Sequence, residues 1–141
     1  EGPFRVEGRF DPHVAVAWLT PGQDGSALRS LADGETRAVM LVAFGAGNVP
    51  VEDRGVADAI EALVERGVVV AIGSQAPHGR VDLEAYAGGR LAKDMGAVGI
   101  RDMTLEAATV KLMYLLGTLD DPAEVRRRLA EPIAGEVGVP S

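Results

Sequence analysis

The sequence contains no cysteine, which excludes disulfides and thiolate metal sites. Aromatic residues make up only 4% of the 141 positions, too few for a platform on which bases stack. Basic charge is also in deficit. Fourteen Lys and Arg face twenty-one Asp and Glu, a net charge of −7. Arg126-Arg127-Arg128 is the one basic cluster, so nucleic acid is not an expected partner. No apolar run approaches the roughly 20 residues needed to cross a bilayer. No signal peptide is visible ahead of the first strand, although the chain starts at Glu1 rather than Met.

What remains is a composition typical of a soluble globular domain, 47% hydrophobic and 25% charged. A chain of this length buries roughly 70% of its unfolded surface when it folds. One domain is expected over residues 13–131, with a polar lead-in at 1–12 and a flexible tail at 132–141.

Hydrophobic periodicity divides that domain into alternating strands and helices. "HVAVAWLT" (13–20) reads as a strand stopped by Thr20-Pro21-Gly22. "SALRSLA" (26–32) reads as a short helix capped by Asp24 or Ser26 and ended by Gly34. "RAVMLVAF" (37–44) is apolar on both faces, as in the centre of a parallel sheet. In "RGVADAIEALVER" (54–66), Val56, Ile60, Leu63 and Val64 share one helical face, and Gly67 stands where a left-handed cap belongs. "VVVAIG" (68–73) is a third strand, followed by an irregular loop over 74–86. A short helix (88–96), a brief strand (97–100) and two further helices (102–117 and 120–130) complete the pattern.

Thr104 is placed to cap the first of those last two helices, whose buried stripe reads Leu105, Ala108, Leu112, Leu115 and Leu116. Asp121 is placed to cap the second, with Pro122 at its first position and Glu124 completing a capping-box pattern. Strands alternating with helices give an α/β domain of three layers. It has a parallel sheet of about four strands, right-handed crossovers and helices on both faces.

Ligands of open parallel sheets bind beyond the carboxyl ends of the strands. The four exits are Thr20-Pro21-Gly22, Gly45-Ala46-Gly47-Asn48, Ser74-Gln75 and Arg101-Asp102-Met103-Thr104. Small and hydrogen-bonding residues gather there, and such residues are also ordinary turn formers. "GAGNVP" has Pro50 where a dinucleotide fingerprint needs its third glycine, and no P-loop lysine follows. Ser74, His78 and Asp82 recur at four-residue spacing, but Pro77 and Gly79 break the helix that would align them. His13 and His78 lie far apart with no carboxylate cluster beside either, so no metal site is expected. The residues alone therefore give a polar sheet edge without a nucleophile–base pair.

"GAGNVP", then "SQ…HGRVDLEAYAGGRLAKDMGAV", then "DMTLEAATVKLMYLLG" resemble, in order and spacing, the C-terminal domain of the bacterial-type L-asparaginase family. The resemblance spans roughly residues 14–130. A related domain occurs in archaeal glutamyl-tRNA(Gln) amidotransferases. The resemblance implies a two-domain amidohydrolase of which this chain is the smaller domain. The threonine nucleophile belongs to a larger N-terminal domain whose Thr-Gly-Gly-Thr motif is not found here.

It further implies a homodimer or homotetramer in the cytoplasm, with no cofactor, no metal, no nucleic acid and no membrane. Each active site forms where one subunit's N-terminal domain meets its neighbour's C-terminal domain. Asn48, carried by Gly47, matches the asparagine that reaches that site and binds the amino-acid end of L-asparagine. Ser74 and Gln75 match the neighbourhood of an allosteric site in cytoplasmic members, although Ala76 replaces the cysteine of their Gln-Cys pair. The implied role is to complete the neighbour's site and the dimer interface, with no activity alone. The alternatives are a stand-alone amino-acid-binding or dimerisation module, or a domain of a glutamyl-tRNA(Gln) amidotransferase.

Overall fold

A computed structural model describes residues 2–51 and 54–138. Four strands, β1 (Val14–Trp18), β2 (Ala38–Ala43), β3 (Val69–Ser74) and β4 (Val98–Gly99), form one parallel sheet in the order β1-β2-β3-β4. Five helices accompany them: α1 (Ser26–Ser30), α2 (Gly55–Glu65), α3 (Ala87–Asp94), α4 (Leu105–Thr118) and α5 (Pro122–Leu129). The expected α/β architecture is observed.

Spatial order equals chain order, so every crossover steps in the same direction. Right-handed crossovers stepping one way lie on one face of the sheet. Accordingly α2 packs against both α1 and α3, while α4 and α5 pack against each other. α4 rests on β1 and β2, and α5 rests on β3. All six residues of β2 are buried because strands flank it on both sides and helices cover both faces. Gly73 in β3 allows a close approach there. A Cβ at that position would stand 2.4 Å from Leu105 Cδ2 of α4.

Several boundaries differ from the sequence reading, each for a local reason. β4 is shorter than 97–100 because the chain turns at Arg101, the one non-glycine positive φ among the described residues (61°). α4 begins at Leu105 rather than 102, since Thr104 is extended and its side-chain oxygen accepts the Ala107 N–H at 3.2 Å. Gly67 is left-handed (φ 79°), as expected. Gly34 is extended instead, and α1 ends through a 3-10 turn over Leu31–Asp33. Asp121 caps α5 through the Ala123 N–H at 2.9 Å, but Glu124 turns to Arg127 rather than closing a capping box.

The tail is the main difference. Residues 132–138 have no regular structure, yet they are tied to the domain. Val137 is 3% exposed. The carboxylate of Asp102 accepts the Gly138 N–H at 3.0 Å. Lys111 is the one buried charged residue among the described residues, and its Nζ lies 2.5 Å from Glu136 Oε1. It also donates to the Glu131 carbonyl at 2.5 Å. A buried ammonium requires such partners. Residues 139–141 of the expected tail, and Glu1 of the lead-in, lie outside the described residues. The lead-in is exposed at Phe4 and Val6, but Asp11 joins the fold through its N–H on the Met113 carbonyl (2.9 Å).

Burial raises the affinity of Glu136 for a proton. The Lys111 ammonium and the backbone N–H groups of Ala134 and Ile133 outweigh that effect and bring its pKa down to about 2. A carboxyl with a depressed folded-state pKa contributes stability that is present above its unfolded value, 4.5, and lost as pH falls through about 2. Glu136→Gln is therefore expected to lower stability by about 2 kcal/mol at neutral pH, with Lys111 left under-compensated. In urea titrations the gap to wild type should close as pH falls from 4.5 toward about 2. A separate check of the core is Leu112→Ala, at a fully buried position of α4. It should cost about 2–5 kcal/mol in the same assay.

Candidate functional site

Parallel strands in register bring all four exits to one edge. Beyond β3 and β4 the edge opens into a groove of about 590 Å³, lined among others by Trp18, Ser74, Gln75, His78, Arg101 and Thr104. Asn48 is not among its lining residues. The structure thus brings Ser74 and Gln75 to the groove and places Asn48 beside it, on the neighbouring loop.

The hydroxyls of this edge are engaged with the chain itself. Ser74 Oγ donates to the Gly45 carbonyl at 2.5 Å and accepts the Ala76 N–H at 2.9 Å. Thr104 caps α4. Thr20 lies on the Gln23 side-chain oxygen, with its N–H at 3.2 Å. A serine that gives its proton to a backbone carbonyl is not paired with a base. Asp82 is likewise occupied, accepting the Glu84 N–H at 3.0 Å in a local turn. Ser74, His78 and Asp82 do not assemble into a triad. Among the described residues no cluster of three or more His, Cys, Asp or Glu is arranged to hold a metal ion.

Gln75 is a staple between strand ends. Its Nε2 donates to the Leu19 carbonyl at 2.6 Å and to the Val42 carbonyl at 3.2 Å. Arg101, which by sequence reads as a turn residue, reaches the Ala130 and Gly138 carbonyls at 3.3 and 3.4 Å. Lys111 is not among the residues that the sequence singles out. A signal for it exists nonetheless: it falls three residues after Ala108 and one before Leu112, inside the apolar stripe of α4.

Asn48 ends a tight loop closed by an antiparallel bridge. Its N–H donates to the Phe44 carbonyl at 2.7 Å, and the Phe44 N–H returns to the Asn48 carbonyl at 3.1 Å. Gly47 (φ 107°) is buried, and a Cβ there would stand 2.9 Å from both Leu83 Cδ2 and Val81 Cγ1. Only glycine combines that backbone angle with that approach. Asn48 itself is half-buried. Its Oδ1 lies against the first turn of α3, 2.6 Å from where a Cβ of Gly88 would be. No hydrogen bond is made by its side-chain amide to any described residue. Among the polar exit residues Asn48 is thus the one whose side chain makes no hydrogen bond to a described residue.

Strand order also limits what the edge can enclose. In doubly wound sheets, ligand crevices form where strand order reverses and neighbouring loops diverge. The order β1-β2-β3-β4 contains no reversal. The chain therefore supplies one wall of polar loops and no internal crevice of that kind.

Comparison with known proteins agrees with this architecture. The chain is 38% identical over 129 residues to an L-asparaginase of Thermococcus kodakarensis, covering 91% of this chain and 38% of that protein. It is 36% identical over 137 residues to a glutamyl-tRNA(Gln) amidotransferase subunit of the same organism, covering 97% and 30%. It superposes on the crystal structure of L-asparaginase I from Vibrio cholerae with a TM-score of 0.88 and 31% identity, covering 98% of this chain and 41% of that one. The chain thus spans 30% and 38% of the length of these two curated relatives. Residues 13–129 match the Glutaminase/Asparaginase C-terminal domain model, and the chain belongs to that family.

Proposed function

We propose that this chain serves as the smaller, C-terminal domain of an L-asparaginase, an amidohydrolase that converts asparagine to aspartate and ammonia. In this reading a larger domain supplies the threonine nucleophile. The present chain completes the active site of a neighbouring subunit in a cytoplasmic homodimer or homotetramer.

The observation that carries the proposal is the contrast within the sheet edge. Ser74, Thr104 and Gln75 spend their hydrogen bonds on the chain's own backbone, whereas Asn48 keeps a free amide. An amide offers two donors and one acceptor. It suits both ends of an amino acid, donating to the carboxylate or accepting from the ammonium. It cannot attack a carbonyl or remove a proton, so its role is to bind substrate, and the chain by itself is inactive.

A second reading, as a domain of a glutamyl-tRNA(Gln) amidotransferase, is favoured by the 36% identity over 97% of the chain. The net charge of −7 weighs against direct tRNA contact by this domain.

The purified chain is expected to release no ammonia from L-asparagine in a coupled assay; turnover would end the proposal. In the full-length enzyme, Asn48→Ala should raise KM by roughly tenfold, the worth of one or two hydrogen bonds, with a smaller change in kcat. An unchanged kcat/KM removes Asn48 from the site. Calorimetry of the isolated chain with Asn, Asp, Gln and Glu should give no saturable heat. Saturable binding would favour a stand-alone amino-acid-binding module instead.

A further inference from the structure

We infer that Ser74 is a positioning residue for Asn48, acting through the loop Phe44–Asn48; the inference rests on the binding role proposed for Asn48. The loop is closed at its base between Phe44 and Asn48 but carries two points of backbone freedom between them. It contains two left-handed glycines, Gly45 (φ 49°) and Gly47 (φ 107°), and glycine is the residue least confined to one backbone conformation. Its own backbone closes the turn, with the Gly47 and Asn48 N–H groups on the Phe44 carbonyl and the Phe44 N–H on the Asn48 carbonyl, and contacts from outside hold the two glycines within it.

Three anchors are present. On one flank Gly47 is pressed against Val81, Leu83 and Ile72. In the middle the Ala46 carbonyl accepts the Asp82 N–H at 2.9 Å. On the other flank nothing packs on Gly45, around which a Cβ would meet no atom within 4 Å. There the Ser74 hydroxyl, donating to the Gly45 carbonyl, is the anchor. Among the described residues it is the one side chain that hydrogen-bonds to this loop.

Ser74 is itself oriented. It ends β3, paired with Ala43 at the end of β2, and its oxygen accepts the Ala76 N–H. The hydroxyl therefore faces the loop from a fixed point on the sheet. Without it the Gly45 carbonyl is released, the loop regains freedom about its first glycine, and the amide of Asn48 spreads over more positions. Substrate affinity falls, because ordering must be repeated at each binding event. The bond-breaking step is spared, since Ser74 touches no reacting atom in this arrangement.

The test is kinetic and uses the full-length enzyme. Ser74→Ala should raise KM roughly five- to tenfold, the order of one neutral hydrogen bond, with kcat kept within about twofold. Ser74→Thr, which retains the hydroxyl, should restore KM. The double variant Ser74→Ala/Asn48→Ala should be no worse than Asn48→Ala alone, because both changes remove one function. A fall in melting temperature without a change in KM would assign Ser74 a structural role only and overturn the inference. So would additive losses in the double variant. If Asn48→Ala raises KM and Ser74→Ala does not, the positioning role fails while the role of Asn48 stands. If Asn48→Ala has no effect, the proposed function fails first. In the isolated chain, Ser74→Ala should also shift the Gly45 and Asn48 amide resonances; unmoved resonances would overturn the inference without any assay of activity.

Discussion

The organisation of this domain depends on one constraint: four parallel strands laid down in chain order. A parallel pair needs a crossover, and crossovers are right-handed. Three successive steps in one direction therefore put α1, α2 and α3 on one side, and leave the other side for α4 and α5. Because the direction never reverses, the four exit loops stand in a row. A row of loops makes a wall, without the divergence of neighbouring loops that a reversal of strand order would create.

That geometry explains how the polar residues of the edge are used. Loops without an internal crevice still carry backbone groups that must be satisfied. Ser74, Gln75 and Thr104 satisfy them, which accounts for hydroxyls and amides at a sheet edge without any catalytic pairing. Asn48 stands apart. Its backbone closes the loop while its side chain does not, and the missing side chain of Gly88 leaves the space its Oδ1 occupies. A similar use of polar groups as anchors appears along α4. There Lys111, Glu136 and the carbonyl of Glu131 hold residues 132–138 against the domain.

Much of the fold is legible because its signals are local. The apolar run of β2, the helical stripe of α4 and the caps at Thr104 and Asp121 each depend on a few neighbouring residues. The site is legible only in part. Asn48 stands out through the quoted motifs and their resemblance to a family, since its residue type alone is that of a turn. Arg101 and Lys111 are not legible as anchors, because the carbonyls they reach lie 20 to 37 residues along the chain, at Glu131, Ala130 and Gly138. The tail reads as loose from its Pro and Gly content, but Val137 and Glu136 bind it to distant groups.

By itself, the sequence determined the class of fold, the positions of the elements and the residues at each strand exit. Periodicity and capping are encoded within one turn of helix or one span of strand. Tertiary structure decided which of the exit residues remain available. Whether a hydroxyl or an amide is free depends on carbonyls brought beside it from other strands, as Gly45 is to Ser74 and Leu19 is to Gln75. Those meetings are set by sheet register, which no short stretch of sequence contains.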